Sequence, residues 1–357
     1  MTTRYTRRAF LRRSAGALAA AGLWHVCGAA AVQAAATPPP AAPLARDWPP
    51  QAVIIGVGGA GAKAISLLAA RGVAGARLCV AECDVAAALQ APGAQRVLLG
   101  PQVARGLGAG GLVGRGEACA LASAPELRDV LGGVGLALLV AGLGGGSGGG
   151  AGSVIARLAR EAGAITIALV TLPFGFEGRR RWANAQAGLA ALRSEADAVV
   201  AIPCDGLLPA HRDKSIMAAF QALDGLLSRA ARSLVETVTV PGLIGIDPAD
   251  LRYILRHEGC VRLGHGEASG HNAAVRAATA ALASPFLGGP IATAPGIFVA
   301  VRGGEALTVG GVRAAGEAVT HAASPLASIY CGATFDHTLP TDAVEISIFA
   351  ASRLSER

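Results

Sequence analysis

Lysine is nearly missing from this chain: Lys63 and Lys214 stand alone in a basic complement that is otherwise arginine. No stretch reads GxxxxGK[ST], which excludes a phosphate site built on a P-loop lysine. The seven cysteines form no CxxC and no Cys/His pairing, so neither a metal site nor a disulfide framework is indicated. Cys79, Cys83, Cys119, Cys204, Cys260 and Cys331 are expected as mostly buried thiols. A charge excess is also lacking from the body of the chain. The formal net charge is +7, but Arg4, Arg7, Arg8, Arg12 and Arg13 all precede the first acid, Asp47, and without them about +2 remains. That argues against nucleic acid as a partner.

Hydrophobic residues make up 52% of the chain and the mean hydropathy is +0.49, which excludes general disorder. Much of this apolarity is Ala and Val, so it does not imply membrane spans. A length of 357 residues suffices for one large or two modest cores. At the N-terminus TRRAFLRR places paired arginines ahead of Phe10 and Leu11, and a mildly apolar segment runs on to a small-residue cleavage site at Val32-Gln33-Ala34. Residues 1–35 read as a twin-arginine export signal or as an uncleaved basic arm that touches anionic lipid. A Pro-rich spacer over 36–50 follows.

Glycine, by contrast, comes in clusters. The densest, GLGGGSGGGAG at 142–152, lies between an apolar run at 134–141 and Val154, Ile155, Leu158 and Ala159 at helical spacing. Strand, glycine loop, helix is the local reading. Backbone without Cβ atoms can turn its amides inward, and the helix start adds free N–H donors and a positive dipole end. The element therefore suits a phosphate, the alternative being a flexible linker. A strand over 52–57 enters a second glycine turn in which Gly56, Gly58 and Gly61 fit GxGxxG, and a helix over 63–71 follows. A strand over 78–81 ends at Glu82 and Asp84, about twenty residues on, where that fingerprint expects an acid for ribose. A third cluster, RGLGAGG at 105–111, precedes a helix around 117–123.

Further strands over 164–171 and 198–202 end at PFGFEGRRR and PCD. A long helix over 214–238 carries Ile216, Phe220, Leu223, Leu227, Ala230 and Leu234 as an apolar spine. One glycine turn is all that an NAD-linked oxidoreductase would use. Several suggest a nucleoside triphosphate held by backbone amides, with a cation to offset its charge.

In order, these motifs resemble FtsZ, the bacterial relative of tubulin, over residues 53–354. GGGSGGG at 144–150 stands where that family has GGGTGTG. GVGGAGAKA at 56–64, RGLGAGG at 105–111, PFGFEGRRR at 173–181, IPCDGLL at 202–208, PGLIGIDPAD at 241–250 and GHGEASG at 264–270 continue the series. The resemblance implies an α/β fold of tubulin/FtsZ type. Its parts would be a Rossmann-like parallel-sheet nucleotide domain over 51–213, a central helix over 214–240 and a smaller α+β C-terminal domain over 241–357. It implies GTP or GDP with Mg2+, and a head-to-tail homopolymer of cell-division type that hydrolyses GTP at the subunit interface.

Carried over by position, Gly58, Gly59, Ala60, Gly61, Ala62 and Lys63 would surround the nucleotide, together with Gly108, Ala109, Gly110 and Gly111. Gly144, Gly145, Gly146, Ser147, Gly148, Gly149 and Gly150 would complete the cradle. Glu177 and Arg181 would meet the ribose and base side, or pair with each other at i, i+4. Phe220 would stack on guanine, and Asp224 would accept its N1–H and N2–H. Asp247 and Asp250 match the acids by which a neighbouring subunit completes the site, although Asp247-Pro248 is equally a helix start.

Four positions depart from the family pattern. Gly245 and Cys204 each stand for Asn, Gly149 stands for Thr, and Lys63 stands for Asn and could add a phosphate contact. Amides survive such changes and side-chain contacts do not, so binding is expected to be better kept than hydrolysis. A hydrolysis-impaired relative that associates with filaments of another FtsZ-family protein is the alternative expectation. The chain stops soon after its last strand, so the N-terminal segment is the expected membrane tether if there is one. Export and residence in the cytoplasm are both left open.

Overall fold

Strand β1, Ala52–Val57, is buried along its whole length, as befits a parallel strand covered on both faces. The computed structural model describes residues 51–255 and 259–353. Contacts divide the chain into Met1–Ala45 and Arg46–Arg357, and the described residues all belong to the second unit. The export signal and the Pro-rich spacer lie outside them. No described helix is long and apolar enough to cross a membrane.

One ten-stranded sheet runs through the unit. Its strands are β1, β2 (Ala76–Glu82), β3 (Gln95–Leu98), β4 (Leu136–Gly142), β5 (Ile165–Leu172), β6 (Ala198–Pro203), β7 (Gly259–Ser269), β8 (Gly296–Gly303), β9 (Ser328–Phe335) and β10 (Ala343–Arg353). Their order is β3-β2-β1-β4-β5-β6-β7-β10-β8-β9. The first six pair in parallel, so their C-terminal ends share one edge. β7 joins β6 through the single pair Val200–Val261, and β10 runs antiparallel between β7 and β8.

The main helices are α1 (Gly58–Arg71), α2 (Val113–Ala122), α3 (Ala124–Leu131), α4 (Gly152–Glu161), α5 (Arg179–Glu195), α6 (Ile216–Thr239), α7 (Pro248–Leu255), α8 (Ala273–Leu282) and α9 (Val309–Ala322). Alternate residues of the parallel strands feed two cores. Ile54, Val80, Leu138 and Leu169 meet α1 and α6 on one face. Ile55, Cys79, Leu139 and Ala168 meet α2 to α5 on the other. The first core continues under α6 and α7 to Leu263, Phe298 and Phe349 of the later strands, and α8 and α9 cover a third. The apolar spine of α6 is real but graded: Leu223, Leu227, Ala230 and Leu234 are buried, whereas Ile216 is 63% exposed and Phe220 only half-buried. Of the six cysteines here, Cys79, Cys83, Cys119 and Cys204 are buried and Cys260 and Cys331 half-buried.

Polar groups lock α6 to the later strands. His265 on β7 accepts from Arg229 Nε at 3.0 Å through Nε2. Its Nδ1 therefore carries the hydrogen and donates to Ser347 Oγ at 3.1 Å, and Ser347 donates onward to Ser233 of α6 at 3.2 Å. Burial pushes the His265 pKa down to about 3, helped by Arg229 on α6 and Arg302 on β8. The unfolded chain takes up this proton near 6.5 and the folded chain only near 3, so His265 makes stability fall as pH drops between those values. The expected slope approaches about 1.4 kcal/mol per pH unit. Urea midpoints between pH 6.5 and 5, above most carboxylate titration, should show this slope in the wild type. His265→Gln should flatten it, and an equal slope in both proteins would refute the assignment.

Candidate functional site

The shared C-terminal edge of the parallel strands opens into a cleft of about 560 Å³, the place where an open α/β sheet binds its ligand. Residues at and just past the ends of five of these strands form much of its wall. Glu82 and Asp84 close β2, Gly58 and Gly59 come after β1, residues 142–148 leave β4, Thr171 and Pro173 mark the end of β5, and Cys204 comes after β6.

The cradle is made of backbone. Helix α1 begins directly at Gly58, with no side-chain cap and no acid in its first turn, so its first amides are left for a ligand. Gly58 has φ +77°, and a Cβ there would stand 3.1 Å from Gly148 N. The glycine loop after β4 enters α4 through one π-helical turn, Ser147–Ala151, a feature often found at functional sites. Gly108, Gly110 and Gly111 all have positive φ, which turns the third loop towards the cleft. Asn184 on α5, absent from the sequence expectations, donates to Gly111 O at 2.9 Å and to Gly144 O at 3.2 Å. It staples two loops together. Its spacing of three and seven residues from Arg181 and Glu177 was the signal available.

The structure sorts the expected residues. Gly58, Gly59, Ala60, Lys63, Gly108, Ala109, Gly110, Gly111, Gly145, Gly146, Ser147, Gly148, Glu177, Arg181, Phe220 and Asp224 line the cleft together. Gly61, Ala62, Gly144, Gly149 and Gly150 do not. Gly61 lets α1 pack on β4, since a Cβ there would lie 2.4 Å from Val140 O, and Gly150 lets the π turn pack on α2, with Val113 O 2.0 Å from its Cβ position. Gly144 backs onto Arg181 O and Gly149 onto α5, while Ala62 is core. Asp247 and Asp250 are elsewhere altogether. Glu82 and Asp84, expected only by way of the dinucleotide fingerprint, also line the wall, as do Leu107, Thr171, Pro173 and Cys204, which were not among the expected site residues.

At the β6 end, Phe220 meets Phe174 edge to face, with centroids 5.6 Å apart and planes at 85°, which fixes its ring beside the cleft. Asp224, one turn on, has its carboxyl raised by burial and pulled back by Lys63. Lys63 thus stands close enough to act on the Asp224 carboxylate. Glu177 pairs with Arg181 and also accepts from Phe174 N–H at 2.8 Å. Burial raises the Cys204 thiol to about 12, with Glu177, Asp205 and Asp224 adding to it, so it stays protonated.

Asp247 and Asp250 sit beyond the other end of α6. About 22 Å of helix separates Asp224 from Thr239. Ile244 is bridged to Ala333 and Ile246 is buried, so the segment is held rather than loose. Asp247 Oδ1 accepts from Asp250 N–H at 2.7 Å, which makes it the N-cap of α7. Nothing lies within 4 Å of a Cβ on Gly245, so packing does not require glycine there.

The cradle's fit gives a direct prediction. In Gly116→Ala the added methyl would lie 2.0 Å from Gly146 O, and the glycine loop must shift. Nucleotide affinity is expected to fall at least about tenfold, with roughly 1–3 kcal/mol of stability lost to overpacking. Gly114→Ala, with open space at its Cβ, should be harmless in the same binding and melting assays.

A parallel sheet with several amide-lined turns on one edge, next to an aromatic ring and a carboxylate, defines a nucleotide-binding protein whose ligand is held chiefly by backbone. Comparison with known proteins makes this specific. The Tubulin/FtsZ family GTPase domain matches residues 51–210 and the FtsZ family C-terminal domain matches residues 259–352. Cell division protein FtsZ 1 of Archaeoglobus fulgidus is 39% identical over 80% of this chain and 78% of its own. FtsZ 2 of Rhizobium meliloti is 36% identical over 83% and 86%. A solved structure described as an empty FtsZ dimer of M. jannaschii superposes with a TM-score of 0.81 at 33% identity, covering 85% of this chain and 88% of that one. The chain belongs to the FtsZ family of tubulin-related, cell-division GTPases. The oxidoreductase alternative leaves two of the three cleft-lining loops without a role.

Proposed function

We propose that this protein binds GTP in the cleft, assembles head to tail with its own copies, and hydrolyses GTP where one copy's Asp247 and Asp250 meet the next copy's cleft. The observation that carries the reading is the position of Phe220 and Asp224 on successive turns of α6, facing the cleft that the glycine loops line. In this reading the phosphates lie on the first amides of α1 and on the loops at 108–111 and 145–148. Glu177 and Arg181 face the ribose, Phe220 stacks on the base, and Asp224 takes two donors from guanine, a pair that adenine does not offer. A divalent ion such as Mg2+ would offset the phosphate charge. Self-assembly is supported by the dimer among the solved relatives.

Asp224→Asn tests the ligand. The amide can accept from only one of guanine's donors and faces the other with a donor of its own. Guanine nucleotide affinity is expected to fall about 10²-fold, while xanthosine triphosphate, which carries a carbonyl at C2, gains. Equal affinity of wild type and variant for GTP, measured by fluorescent nucleotide titration, would sink the base assignment. A second reading, nucleotide held but barely hydrolysed, is favoured by Cys204 and Gly245 in place of polar side chains and by Asp247 acting as a cap.

A further inference from the structure

Arg262 is a charge out of pattern. It stands between Val261 and Leu263 on β7, and both of these enter the first core, so strand alternation turns Arg262 to the other face of the sheet. Its cross-strand neighbour there is Ala350 of β10, a member of the third core. An arginine at such a position normally has an acid for a partner. Arg262 instead donates from Nη1 to Leu287 O at 2.9 Å and from Nη2 to Pro290 O at 3.2 Å, while its Nε is buried without a partner. Burial lowers its pKa, and no carboxylate among the described residues opposes that shift.

Tying down two carbonyls does not need a charge. A neutral amide side chain can donate to a carbonyl without the cost of desolvating a cation. Arg262 also lines a cavity of about 740 Å³, together with Thr293, Pro295, Ser324, Leu326 and Ser352, and it is the one charged residue that does so. β7 runs parallel to β6, β10 antiparallel to β7 and β8, and β9 parallel to β8. The starts of β8 and β9 and the end of β10, where this cavity lies, are therefore at the sheet edge opposite the cleft.

Its chemistry narrows the ligand. The volume is that of a small-molecule pocket. Each terminal nitrogen of Arg262 carries two N–H groups and has given one to a carbonyl, so one remains on each, the donors with which a guanidinium grips both oxygens of a carboxylate. One positive charge balances a monoanion, whereas a phosphate monoester would bring about −1.5 to −2. Pro295, Leu326 and the alanines of the wall suit an apolar body rather than a second polar group.

We propose that this cavity binds a small monocarboxylate with an apolar body, its carboxylate held by Arg262 and its body lying against Pro295 and Leu326. The site is separate from the nucleotide cleft and stands whether or not the guanine-nucleotide reading does.

The test titrates hexanoate, hexanamide, acetate and inorganic phosphate into wild type, Arg262→Gln and Ala292→Phe, read by isothermal titration calorimetry and by side-chain NMR shifts of labelled arginine. Hexanoate is expected to bind wild type at least about tenfold more tightly than hexanamide, which lacks the charge, and than acetate, which lacks the body. Arg262→Gln keeps a donor for a carbonyl and should weaken hexanoate about ten- to hundredfold, with melting curves to check that it folds. Ala292→Phe leaves Arg262 in place, and because Ala292 is exposed on the cavity wall the variant should fold, fill the cavity and also weaken hexanoate. GDP should leave hexanoate affinity unchanged. Hexanoate no tighter than hexanamide or acetate, phosphate tighter than hexanoate, or wild-type affinity in either variant overturns the proposal. Displacement of hexanoate by GDP would put the carboxylate in the other cleft and overturns it too.

Discussion

Replacing Asp250 by alanine is expected to lower GTP turnover per molecule about 10²- to 10³-fold while nucleotide affinity changes less than about twofold. The two effects separate because Asp250 lines no part of the cleft of its own chain, and the acid would act only when a second copy presents it. Turnover per molecule should therefore rise with protein concentration, and the rise should vanish in Asp250→Ala. Asp247 needs a subtler substitution. Its carboxylate caps α7, and loss of an N-cap alone costs about 1 kcal/mol. Asp247→Ala would therefore confuse a local structural loss with a catalytic one. Asp247→Asn keeps a capping oxygen and removes the charge, so a turnover loss with an unchanged melting temperature would assign the charge to the reaction. Gly245→Asn, for which there is open space, should raise turnover if a polar side chain there helps the contact. Phosphate release against concentration decides the matter. Turnover independent of concentration would remove the shared site, and tight nucleotide without turnover in the wild type would establish the hydrolysis-impaired reading.

How much of this was legible in the sequence depended on how local the cause was. The glycine loops were legible because an amide cradle needs positions without Cβ atoms, as at Gly58 and Gly148. A motif cannot separate a glycine that faces the ligand from one that lets two elements touch, and so Gly61 and Gly150 were grouped with Gly58 and Gly148. Their roles follow from the helical phase of α1 and from α2 packing on the π turn. The start of α1 was placed five residues late, because glycine disfavours helix while an amide-lined helix start requires it. Glu82 was noticed only through the spacing of a dinucleotide fingerprint. Its burial on the cleft wall follows from β2 lying inside the sheet, between β1 and β3. The long-range polar contacts left no local trace at all.

The largest of these contacts surrounds Arg302, and Arg302→Met is expected to cost about 3–5 kcal/mol, because removing one partner leaves buried charge uncompensated. Arg302 on β8 is 1% exposed. It pairs with Glu345 of β10 at 2.7 Å, with Glu236 of α6 at 3.4 Å and with Asp336. Arg232 bridges Glu236 and Asp336 from the other side, at 2.8 and 3.2 Å. Three carboxylates thus face two guanidinium groups, and methionine in place of Arg302 would leave three facing one. Burial pushes the Asp336 carboxyl up, but hydrogen bonds from Thr338 and the charges of Arg302 and Arg232 outweigh it and leave it low. Its contribution to stability is therefore present above the ordinary carboxylate range and is lost as pH falls below it. Burial raises Glu345 despite Arg302, which opposes that trend, so Glu345→Gln should be far milder than Arg302→Met. Glu236 also accepts from the Ala74 N–H at 3.1 Å, in the turn between α1 and β2, so one side chain ties the nucleotide-binding sheet to the later strands through α6. Losing Arg302 should therefore loosen their coupling as well as lower stability. The expected result is a lower denaturant midpoint and a broader or two-step transition, in which the nucleotide-protected part unfolds last. A single transition with an unchanged midpoint would mean that the cluster contributes no more to stability than methionine packing in its place.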